Sequence, residues 1–181
     1  MKKLPVIFCL LLFFNSNSNV SAKSMDKQTV LAALTLNIVR FTGWPEGIFD
    51  WNAPSINLCV IGDNIVQESF AGMENQTING KVVQILNRSR LRNLSQCQLL
   101  YISGLERNIL LQVLFDLKDQ PVLTVGEGLA FIQAGGMISL EKMDGKMQLN
   151  INLPIVKQTD LVVSSRILKL AKIFDFPYPK Q

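Results

Sequence analysis

The chain contains no histidine. That single absence removes Ser-His-Asp and Cys-His nucleophile pairs, His-ligated zinc and the usual proton shuttle at neutral pH. An enzyme built from this sequence would have to work with carboxylates, lysine or tyrosine, and no catalytic residue, metal ligand or cofactor is assigned. Long apolar runs are missing too. The run from Leu4 to Phe14 falls short of the ~20 residues that a membrane-spanning helix needs, and no later segment reaches that length. Charged residues make up 18% of the chain and the basic ones are scattered, so no electrostatic footprint for nucleic acid emerges. Cysteine is scarce, with three in all: Cys9, Cys59 and Cys97.

What is present begins with a secretory pattern. Lys2 and Lys3 form a basic start, Leu4–Phe14 an apolar centre, and Val20-Ser21-Ala22 the small residues a signal peptidase reads. Residues 1–22 are therefore expected to be a cleaved signal peptide and residues 23–181 a single domain. Without Lys2 and Lys3 the formal net charge of +4 falls by two. Cys9 leaves with the signal, and Cys59 and Cys97 enter an oxidising compartment, where an even pair reads as a disulfide. The bridge is read either as a permanent staple or as one that also reports redox state. A catalytic thiol or metal ligand lacks supporting residues. Closing the loop from residue 59 to residue 97 is worth about 4 kcal/mol in the chain-entropy model.

Periodicity gives the elements. Leu31, Leu34, Ile38 and Phe41 recur at helical spacing, predicting an opening helix over 25–41 that Trp44-Pro45 and Gly47 end. The apolar run Ile56–Ile61 reads as a strand ending at Gly62-Asp63-Asn64, with a short helix following through Phe70. Further strands are predicted over 81–86, 98–102 and 121–125. A helix is expected over 105–117 and a helical turn over 129–133. Alternation on either side of Asp144-Gly145 is the strongest hairpin signal, and a last helix is predicted over 161–173 with Arg166, Lys169 and Lys172 on its polar side. The expected fold is α/β, a mostly parallel open sheet of about six strands with a C-terminal antiparallel hairpin and helices on both faces.

Three sets of residues are candidates for function. Gly62-Asp63-Asn64 and Gly126-Glu127 follow two strands, and in open α/β sheets ligands bind beyond the carboxyl ends of strands; these five residues are the expected ligand pocket. The glycine-rich VGEGLAFIQAGG, residues 125–136, lacks the spacing of a Walker or dinucleotide loop and reads as tight turns with a helix end. Phe41 with Trp44 is the candidate aromatic anchor for a partner, against the plainer reading that the pair closes a helix onto the core.

The order LNIVRFTGWPE, INLCVIGDN, INGKVVQI, CQLLYIS, PVLTVGEG, FIQAGGMISL, LNINLPI and LVVSSRILKLA, running from about Leu34 to Ala171, resembles the YfiR-like periplasmic proteins. The resemblance implies a periplasmic repressor that holds the periplasmic domain of a membrane-bound diguanylate cyclase inactive. It also implies an outer-membrane lipoprotein that sequesters the repressor, and envelope or redox stress that relieves it, raising cyclic di-GMP and biofilm growth. A second copy of the chain is a further expected partner. Cys59 and Cys97 sit where the family keeps a disulfide. The sequence departs from the family in lacking a second cysteine pair towards the C-terminal half, so a switch that depends on that second bridge does not carry over. The rival expectations are a small-ligand-binding sensory module that signals to a membrane receptor, and a carboxylate or lysine enzyme.

Overall fold

The computed structural model describes residues 26–46, 53–88 and 91–179. The proposed signal peptide, Cys9 and Gly47 lie outside the described residues. Helix α1 (Lys27–Arg40) opens this region, its N-terminus capped by Asp26, whose carboxylate accepts from the Thr29 backbone N–H at 3.0 Å. Two bonds from Thr29, through its backbone and its hydroxyl, hold the exposed Asp26 carboxyl below its ordinary value. Strands β1 (Thr42–Gly43) and β2 (Ser55–Ile61) follow, then α2 (Asn64–Ala71), β3 (Thr77–Ile78) and β4 (Lys81–Asn87). After a single 3-10 turn at Leu94–Gln96 come β5 (Leu99–Ile102), α3 (Arg107–Asp116), β6 (Leu123–Glu127) and α4 (Gly128–Gln133). The remaining elements are β7 (Ile138–Met143), β8 (Lys146–Asn152), α5 (Leu153–Gln158), β9 (Val162–Val163), α6 (Ser165–Leu168) and β10 (Ala171–Phe174).

Eight strands form one sheet in the order β10-β8-β7-β6-β5-β2-β4-β3. The run β4-β2-β5-β6-β7 is parallel throughout, as expected from the strand–helix alternation. The chain first moves outward from β2 to β4 and then crosses back to β5, so the doubly wound sheet reverses direction between β2 and β5. Asp144 and Gly145, at φ 49° and 77°, form the two-residue turn that joins β7 to β8 in antiparallel register. The sheet carries two more strands than expected, because β3 adds antiparallel to β4 and β10 adds parallel to β8. β1 and β9 pair separately.

Side-chain alternation sorts the core onto two faces. Leu58, Val60, Leu99, Tyr101, Leu123 and Val125 pack on one side with residues of α1, α2 and α5. Cys59, Ile61, Leu100, Ile102 and Val122 pack on the other with residues of α3 and α4. Burial on both faces explains why these strands read as continuous apolar runs.

The predicted last helix is corrected. Residues 161–173 hold β9, the four-residue α6 and most of β10 instead. Val162 and Val163 are β-branched and pair with Gly43 and Thr42, and Ala171–Phe174 align with Leu149–Asn152, so strand pairing overrides the i, i+3 spacing of the basic residues. The helix α5 escapes prediction because LPIVKQ continues the apolar pattern of β8; Pro154 in its first turn is the signal for a helix start.

Candidate functional site

Two concave regions stand out, one edged by a polar cluster and one apolar. The first lies at the carboxyl edge of the sheet, beyond the ends of β5 and β6. Glu127 ends β6, and its Oε1 accepts from the Tyr101 hydroxyl at 3.2 Å and the Ser103 hydroxyl at 3.1 Å. Tyr101 and Ser103 are two residues apart at the end of β5, so strand alternation turns both towards the same neighbour. The other carboxylate oxygen accepts from Lys27 at 2.5 Å, tying the first turn of α1 to β6. Burial, and then the Glu127 charge, pushes the Tyr101 phenol far above its ordinary value of 10.0, so it serves here as a neutral donor. A cleft of about 350 Å³ opens beside this cluster, lined by Ser103, Gly104, Leu110, Glu127, Ala130 and Phe131.

The two Gly-acid pairs reach the same edge with β5 between them. Glu127 lines the cleft. Asp63 accepts from the Val66 N–H at 3.0 Å and caps α2, with Asn64 exposed as the first helical residue. A Cβ on Gly62 would lie 2.7 Å from Val66, so this glycine lets α2 approach the end of β2. In the glycine-rich stretch the Phe131 ring sits between Gly126 and Gly136, where added Cβ atoms would lie 2.4 and 2.1 Å from it. The ring occupies the space these glycines leave. Tyr101, Ser103 and Lys27 escape a reading of the sequence; the alternation of Tyr101 and Ser103 at a strand end is the signal that could have found two of them.

The apolar region is a groove of about 590 Å³ that runs along α1. Helix α1 supplies Leu34 and Ile38, with Phe41 just past its end, as one wall. The β7–β8 hairpin supplies Leu140, Met147 and Leu149, and the α6 turn closes it with Ile167 and Leu170. Phe41 is 37% exposed and Leu170 78% exposed, so apolar surface here meets solvent. Phe41 and Trp44 diverge: Trp44 is half-buried against the core, and its indole N–H donates to the Gln98 carbonyl at 3.3 Å.

Cys59 and Cys97 form a disulfide with Cα atoms 5.7 Å apart. Cys59 lies in β2 and Cys97 just before β5, and both are buried under the α3 side of the sheet. Among the described residues no group of three or more acidic or cysteine side chains could hold a metal ion, and no helix is long and apolar enough to cross a membrane.

Fold and surface together define a doubly wound α/β architecture with a disulfide at its winding reversal and an open apolar groove. The chain belongs to the YfiR/HmsC-like family, whose model matches residues 28–172. No curated protein matches it.

Proposed function

We propose that this protein is a periplasmic signalling protein that binds a membrane-bound diguanylate cyclase and represses it. The family match over 28–172 carries the reading, since it runs from the first turn of α1 to Lys172 of β10 and so takes in every wall of the apolar groove. A repressor needs no catalytic group. It needs only to bind the cyclase's inactive state more tightly than its active one, and a 100-fold preference shifts that equilibrium by about 2.7 kcal/mol. The exposed Phe41 and Leu170 supply the kind of apolar surface on which such binding is built. An outer-membrane lipoprotein would relieve repression by competing for the repressor.

The test is cellular cyclic di-GMP in the source bacterium with the gene intact, deleted, and deleted then complemented. A rise on deletion that complementation reverses is the expected result. An unchanged level in cells shown to make the protein would sink the reading.

The cleft beyond the carboxyl ends of β5 and β6 favours a second reading, a small-ligand sensory module, because open α/β sheets take their ligands beyond the carboxyl ends of their strands. It would show as a rise in thermal midpoint with a metabolite that the Glu127→Gln variant fails to reproduce.

A further inference from the structure

The exposed charged residues next in sequence to the groove's lining on α1 and α6, and on the lining's own face of β7, are basic. Arg40 precedes Phe41 at the end of α1, and Arg166 and Lys169 flank Ile167 and the exposed Leu170. On the hairpin, Lys142 shares a strand face with Leu140 and stands opposite Met147. The carboxylate of β7, Glu141, points to the other face, where its Oε1 lies 4.0 Å from the position of a Cβ on Gly128. Asp144 is confined to the hairpin turn. All four basic residues are exposed.

From this arrangement we infer that the groove between α1, the β7–β8 hairpin and α6 takes an acidic amphipathic helix of a partner protein. The inference rests on the reading of the chain as a protein-binding regulator and names the chemistry of what it binds. Apolar side chains of the helix, spaced three and four apart, enter between Phe41 and Leu170, as amphipathic helices do in apolar grooves. Its carboxylates meet Arg40, Lys142, Arg166 and Lys169, which set the direction of docking and quicken encounter. A basic apolar surface can also serve anionic lipid, but a lipid surface is met by a protruding apolar face, whereas here, beside the exposed Phe41 and Leu170, the apolar residues line a hollow about 590 Å³ in volume.

The experiment places a photo-crosslinking amino acid at Phe41 or at Leu170 of the full chain in its own cells and maps the adduct by mass spectrometry. A parallel chain also carries Arg166→Glu and Lys169→Glu, both exposed positions, with its thermal midpoint measured. The expected adduct lies in a partner segment of net negative charge whose apolar residues recur at helical spacing. Its yield should fall at least about tenfold on charge reversal at an unchanged midpoint. Adducts to phospholipid, to a second copy of this chain or to a basic or non-helical segment overturn the inference, as do no adduct from either position and a yield indifferent to charge reversal. If charge reversal unfolds the chain, Lys142→Glu replaces it under the same criterion. An acidic helix belonging to a protein other than a cyclase would uphold the groove's chemistry while sinking the cyclase reading, and the cyclic di-GMP assay separates the two.

Discussion

Tyr101 and Tyr178 are the two tyrosines of the chain, and both phenols are held protonated. Burial and then Asp119 push Tyr178 up to about 12, and burial with Glu127 raises Tyr101 further. A phenol whose folded value is raised adds stability that is complete below its unfolded value of 10.0 and is lost as pH climbs through the folded value. The native protein should therefore show no phenolate absorbance step near pH 10, and phenolate should appear at higher pH together with unfolding. A full step near pH 10 in the folded protein would refute the burial argument. Tyr101→Phe should cost about 1 kcal/mol at neutral pH, since Ser103 and Lys27 still serve Glu127, and should soften the alkaline loss of stability. Phe131 gives a second test at this scale. With its ring against Gly126 and Gly136, Gly126→Ala should destabilise by about 1–3 kcal/mol through overpacking. In a Phe131→Ala background the same change should cost much less, so chemical denaturation of the four variants should reveal strong coupling. Equal costs in both backgrounds would mean that the ring does not set the need for glycine. Spacing alone argues that this stretch is no phosphate loop. It is silent on the aromatic ring that fills the space, because that contact depends on how α4 folds back over β6.

Among the elements, those with a strong local signature are legible: α1 from its apolar spacing, the hairpin from Asp144-Gly145, and β2 from its β-branched run. Those that depend on a distant partner are not. β10 is a strand because β8 offers it a parallel edge, and nothing local to Ala171–Phe174 announces that edge. For the same reason the groove is illegible: Phe41 can be read as an aromatic at a helix end, but Leu140, Met147 and Leu170 join it only through the tertiary fold. The segment after β10 is held in a similar way. The fully buried side chain of Asn152 donates to the Phe176 carbonyl at 2.9 Å and accepts from its N–H at 3.3 Å, and Tyr178 packs over Gly135. Truncation after Phe174 should leave that amide without its partners and cost about 1–3 kcal/mol from this source alone, read as a lower thermal midpoint. An unchanged midpoint would show that the tail contributes nothing.

Across the whole molecule, the Cys59–Cys97 bridge ties β2 to the approach to β5, the two strands between which the winding reverses. Cys59→Ser should destabilise the fold by about 2–5 kcal/mol, and a double cysteine variant as stable as the parent would remove the staple argument. Because both cysteines are buried, a mild reductant should leave the bridge intact until denaturant opens the sheet. Rapid reduction of the native protein would instead favour a redox-reporting bridge. The bridge also makes residues 59–97 a covalent ring, with α2, β3 and β4 strung along it. Arg92 is exposed within that ring, so a protease that cleaves after arginine can open the backbone there without dividing the molecule. The nicked protein would migrate as one chain on a non-reducing gel and as two fragments after reduction.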